Sequence, residues 1–116
     1  MPLYETTCIV RQDLSKQDVS ALADRYTELL ESKGGRVVKR EYWGLRNLAY
    51  RVKKYRKGHY IMLGIEAPFE AIQEMQRLMT LNEEIIRSLV LRVDTISEEP
   101  SLIMQELDDE SGSNAA

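Results

Sequence analysis

With 116 residues, 43% of them hydrophobic and 30% charged, the chain has the size of one small domain with a single core, which leaves little room for a deep cleft or elaborate catalytic machinery. Its formal charge is -3, its lone cysteine excludes an internal disulfide, and no stretch approaches the roughly 20 apolar residues that span a bilayer. The opening MPLYETTCIV lacks the basic-then-apolar pattern of a secretory signal and the Arg-rich character of a transit peptide, so a reducing cytoplasm is expected.

Residues 3–11, LYETTCIVR, alternate in part and predict a strand with Tyr4, Thr6, Cys8 and Val10 on one face. A helix opens near residues 13–15, where Ser15 with Asp18 three positions on makes a variant capping box. Val19, Leu22, Ala23, Tyr26, Leu29 and Leu30 form its apolar stripe, and Gly34-Gly35 stop it. A long second strand fits residues 36–48, in which Val37, Lys39, Glu41 and Trp43 alternate with Val38, Arg40 and Tyr42. The polar residues 49–57 read as a connection, and after Gly58 a third strand sets Ile61, Leu63, Ile65 and Ala67 on one face. Pro68 fits the first turn of a second helix, which carries Ile72, Met75, Leu78 and Met79 and should stop near Asn82. The last strand, IIRSLVLRV (85–93), is apolar on both faces and is expected to have a neighbour on each side.

Strand, helix, strand, strand, helix, strand predicts an α+β fold, the ferredoxin-like β-α-β-β-α-β sandwich: a four-stranded antiparallel sheet with both helices on one face and the other face open. The domain is expected to span residues 1–96. Residues 97–116 hold six acids and no Lys or Arg, and read as an acidic, disordered tail. Without those six, 16 bases face 13 acids, a body of charge +3.

Residues 36–57 contain nine Lys or Arg against one acid, Glu41, with Tyr42, Trp43, Tyr50, Tyr55 and Tyr60 in or beside the run. Cations suit phosphates and aromatic faces suit bases or sugars, so the stretch points to RNA. Arg46, Arg51, Lys53, Lys54, Arg56 and Lys57 are the expected backbone contacts. The competing reading is a solvated strand and loop with Trp43 in the core.

Catalysis has little support. Cys8 lies mid-strand as a small buried hydrophobe, and His59 stands alone at a strand edge, so neither nucleophile nor metal site is expected. No Gly-rich phosphate loop occurs, Glu83-Glu84 reads as solvated, and no cofactor or small-molecule substrate is called for.

YE near the start, RYT (25–27), WGLRNLAYRVKKYRKGHYIMLGIEAP (43–68) and NEEIIRSLVLR (82–92) resemble bacterial ribosomal small-subunit protein six over about residues 2–95. One departure is Arg51, where many members have Pro. The resemblance implies a non-enzymatic structural protein that binds the central, platform domain of small-subunit rRNA together with small-subunit protein eighteen, in a cytoplasmic ribosome rather than an organellar one. It adds His59 and Arg87 to Arg46, Lys53 and Lys54 as RNA or partner contacts, and implies Trp43, Tyr50, Tyr60 and Met62 on a partner-facing sheet. If Ile61 and Leu63 pack on the helices, strand parity sends Tyr60 and Met62 outward. The alternatives on the same architecture are a regulatory or ligand-sensing oligomerisation domain and an acylphosphatase-type hydrolase. The latter would need a phosphate cradle around Arg11, but RQDLSKQD has no glycine to shape one.

Overall fold

A computed structural model describes residues 1–52, 54–101 and 104, with residues 49–52 described by their backbone alone. Its elements are β1 Leu3–Arg11, α1 Lys16–Ser32, β2 Arg36–Val52, β3 Tyr55–Glu66, α2 Phe69–Leu81 and β4 Ile85–Val93. The sheet runs β2-β3-β1-β4 with every pair antiparallel, and both helices pack on one face. This is the ferredoxin-like sandwich.

The capping box of α1 forms in full: the Asp18 N–H donates to Ser15 Oγ at 3.0 Å, and the Ser15 N–H donates back to Asp18 Oδ2 at 3.0 Å. Asp therefore does the work that Glu usually does there. Val19, Leu22, Ala23, Tyr26 and Leu30 of α1 are buried with Ala71, Ile72, Met75 and Met79 of α2. Against them lie Tyr4, Cys8 and Val10 of β1 and Ile61, Leu63 and Ile65 of β3. Pro68 is the N-cap of α2, one step before the helix, with extended backbone. Burial pushes the Cys8 thiol up to about 12, so it is an inert core group.

Three features depart from the sequence reading. First, β2 carries bulges, with an extra residue between Val37 and Lys39 and another between Tyr42 and Gly44. The first resets the alternation, so Val37 shares the helix face with Arg40 and Tyr42 while Lys39, Glu41 and Trp43 face away. Arg40 then staples β2 to α1, donating to Asp24 Oδ1 at 2.6 Å and to Ser20 Oγ at 2.8 Å. The second bulge falls at Trp43-Gly44, where Gly44 takes φ +92, a backbone that glycine adopts without cost.

Second, most of residues 49–57 is strand rather than connection. β2 runs on to Val52, and β3 begins at Tyr55, before Gly58. Gly58 sits mid-strand because a Cβ there would collide with Ile9 Cγ2. Third, β4 is an edge strand paired only with β1, and past Ile86 it is largely exposed. Among the described residues, no element lies over its second apolar face.

Candidate nucleic-acid interface

β1 ends where Arg11 pairs with Gly58, yet β2 and β3 continue past it through Asn47 opposite Lys57 to Val52 opposite Tyr55. At about 3.4 Å per residue, the three β3 residues past Gly58 carry a short two-stranded ribbon roughly 10 Å beyond the end of β1. Lys54, Arg56 and Lys57 are exposed on it, and Lys54 takes φ +78 at its tip. Arg46 stands at its root in one row with Gly58 and Arg11, while Arg87 lies two rows away on the opposite edge strand, opposite Ile9.

Ion pairing separates these cations from those in the first half of β2. Arg36 meets Glu66 at 3.1 Å, Lys39 meets Glu41 at 3.8 Å and Arg40 meets Asp24 at 2.6 Å. Arg11, Arg25 and Arg77 are likewise paired, with Asp13, Glu84 and Glu74. Among the described residues, Arg46, Lys54, Arg56, Lys57 and Arg87 enter no ion pair. The basic run thus divides: its first three cations are neutralised within the fold, while Arg46, Lys54, Arg56 and Lys57 meet no acid among the described residues. Lys53 lies outside the described residues, as do the side chains of Arg51 and Tyr50.

His59 is not at the surface. It is 5% exposed, with Nε2 2.7 Å from the carbonyl oxygen of Leu14 and Nδ1 2.7 Å from the Tyr42 hydroxyl. A carbonyl only accepts, so Nε2 carries the proton and Nδ1 accepts from Tyr42. Both ring nitrogens are used, and the imidazole pins the β1–α1 connection where an RNA contact was expected.

On the helix-free face, Tyr60 and Met62 do point away from Ile61 and Leu63, which join the core. Tyr60 is half-buried, but Met62 is 4% exposed, in the row Glu41–Met62–Thr7–Leu89. Residues 94–101 return over this face, which is therefore only partly open. Ile96 packs where a Cβ on Gly64 would stand, 3.1 Å from its Cγ2. Lys39 Nζ donates to the Glu99 carbonyl at 2.6 Å, and the Ser101 N–H donates to Glu41 Oε2 at 2.9 Å. Trp43 Nε1 donates to the other oxygen of Glu41, so this half-buried side chain is tied to its own strand. The first residues of the expected tail thus lie against the domain, and the remainder falls mostly outside the described residues. The described residues leave the β1–β4 half uncovered: Leu89 is 56% and Leu91 51% exposed beside a shallow hollow lined by Thr7, Ile9, Arg87, Ser88 and Leu89. Sequence reasoning missed Glu41 as an anchor, although its isolation as the one acid in a basic run was a signal.

Fold and site together define a scaffold for binding: a helix-backed sheet with a cationic ribbon at one end and a partly open apolar face. A family model described as Ribosomal protein S6 matches residues 3–92. The chain is 57% identical over 110 residues to small ribosomal subunit protein bS6 of Gluconacetobacter diazotrophicus, covering 95% of this chain and 68% of that one. To the bS6 of Zymomonas mobilis it is 53% identical over 105 residues, covering 90% and 85%. The crystal structure of 30S ribosomal protein S6 from Thermotoga maritima matches with a TM-score of 0.74 over 99% of this chain and 98% of that one; at 22% identity it speaks for the fold. The chain belongs to the ribosomal protein S6 family. It is a structural protein of the bacterial-type small ribosomal subunit, placed in the cytoplasmic ribosome, and not an enzyme. The regulatory-domain and hydrolase readings fall with that membership.

Proposed function

We propose that this protein binds the central, platform domain of small-subunit rRNA through the β2–β3 ribbon, jointly with small-subunit protein eighteen seated on the helix-free face. The observation that carries the reading is the division of the cations. Arg36, Lys39 and Arg40, in the first half of β2, are neutralised by acids of the fold, while Arg46, Lys54, Arg56, Lys57 and Arg87 meet none among the described residues. Unpaired cations on a projecting ribbon can reach RNA phosphates and release the counterions condensed on them. Arg51 and Lys53 would extend the same ribbon by sequence.

So few phosphate contacts make weak binding alone, which gives joint binding its motive. The exposed Leu89 and Leu91 offer apolar surface to the partner. A gel-shift titration of a central-domain rRNA fragment, with and without protein eighteen, tests this. Affinity should rise sharply with the partner present, and equal affinity in both titrations would refute joint binding.

A further inference from the structure

We propose that residues 94–101 are a strap that occupies the docking face in cis and must be displaced before the partner protein can seat; this rests on the partner reading above. The uncovered half of the helix-free face is too small for a stable complex. Two strands about 4.8 Å apart and nine residues long present roughly 300 Å². A standard interface takes about 800 Å² from each partner. The missing area lies on β2 and β3, which is where the strap sits.

The way the strap is held makes it exchangeable. Ile96 seats its side chain against Gly64, and two further anchors are backbone groups: the carbonyl of Glu99 on Lys39 and the N–H of Ser101 on Glu41. Backbone groups are common to every extended peptide, so the seat accepts any extended segment that carries an aliphatic residue for Gly64. Lys39 and Arg36 beside it favour the acidic strap, with Glu98 and Glu99, until a segment with more contacts arrives. The strap therefore taxes partner binding by the fraction of molecules in which it is closed.

The test uses the full chain with two substitutions that release the strap by different routes. Ile96→Asp removes the aliphatic anchor, and Ser101→Pro removes the N–H that Glu41 accepts. Affinity for protein eighteen is measured by calorimetry, and strap position by the red shift of Trp43, the only tryptophan. Both variants should show the shift and bind protein eighteen about tenfold or more tightly than the unmodified chain. In the unmodified chain, partner binding should deprotect the Ser101 amide. Equal or weaker binding by variants that show the shift, or a Ser101 amide still protected in the complex, overturns the strap and leaves the partner reading standing. Binding by none of the three proteins overturns the partner reading and the strap with it.

Discussion

Trp43 and Glu41, two residues apart on β2, face the same way, and the indole N–H of the first donates to Oε1 of the second at 2.9 Å. The other carboxylate oxygen accepts from the Ser101 N–H. Burial pushes the Glu41 pKa up, but the hydrogen bonds from Ser101 and Trp43 and the charge of Lys39 outweigh it and hold the group below the ordinary glutamate value of 4.5. A depressed folded value means that strap closure is fully supported above 4.5 and weakens as pH falls through the folded value. Trp43 emission should therefore be flat from about pH 8 to 5 and shift red below that. Glu41→Gln, with one acceptor oxygen instead of two, should show the red-shifted spectrum throughout. A Glu41→Gln protein that titrates like the unmodified chain would remove Glu41 as the latch.

The buried His59 gives a second expectation. Tyr42→Phe leaves Nδ1 with no donor in a site closed to water, at a cost of about 1–2 kcal/mol. Urea denaturation should show that loss, and RNA affinity should stay unchanged. Lost affinity without lost stability would return this pair to the RNA surface.

On the ribbon, each of Lys54→Ala, Arg56→Ala and Lys57→Ala should flatten the plot of log affinity for the rRNA fragment against log salt by about 0.7–0.9. Arg40→Ala, which removes a cation already neutralised by Asp24, should leave the slope unchanged. A slope that responds to Arg40 and not to the ribbon would mean that the RNA lies along the sheet body.

Element order and both helices were legible because their signals are local and periodic. The stripe from Val19 to Leu30 and the Ser15–Asp18 box need no tertiary information. The bulges of β2 were not, because one extra residue leaves an alternating pattern looking intact while exchanging its faces. Residues 49–57 look like a loop because a projecting ribbon has no core to demand apolar residues. The interface was half legible for a related reason. Charge is visible in sequence, but its neutralisation is not: the pairing of Arg40 with Asp24 and of Arg36 with Glu66 depends on packing across the fold. His59 misled for the same reason, since its two partners come from different segments, 17 and 45 residues away.

The uncovered half of the helix-free face carries its own prediction. Leu89 is exposed in the free protein, so Leu89→Asp should change stability by less than about 0.5 kcal/mol. In a partner interface the same carboxylate would be buried without a counter-charge, so the gain in RNA affinity on adding protein eighteen should disappear. Gel shifts with and without the partner, beside a thermal melt of the free variant, separate the two effects. A variant that keeps the full gain would place the partner elsewhere.

Thr6 tests whether the face beneath the helices is under the same pressure. It is completely buried on β1 between Leu63 and Val90, and among the described residues its hydroxyl has no hydrogen-bond partner. An unpaired buried hydroxyl costs about 1–3 kcal/mol, whereas valine fills nearly the same volume without it. Thr6→Val should therefore raise stability by about 1 kcal/mol in urea denaturation, with RNA and partner binding unchanged because Thr6 faces away from both surfaces. A destabilised Thr6→Val would show that the hydroxyl is paired in solution, by a buried water or by a backbone carbonyl of its own strand, and that this part of the core is wetter than its packing implies.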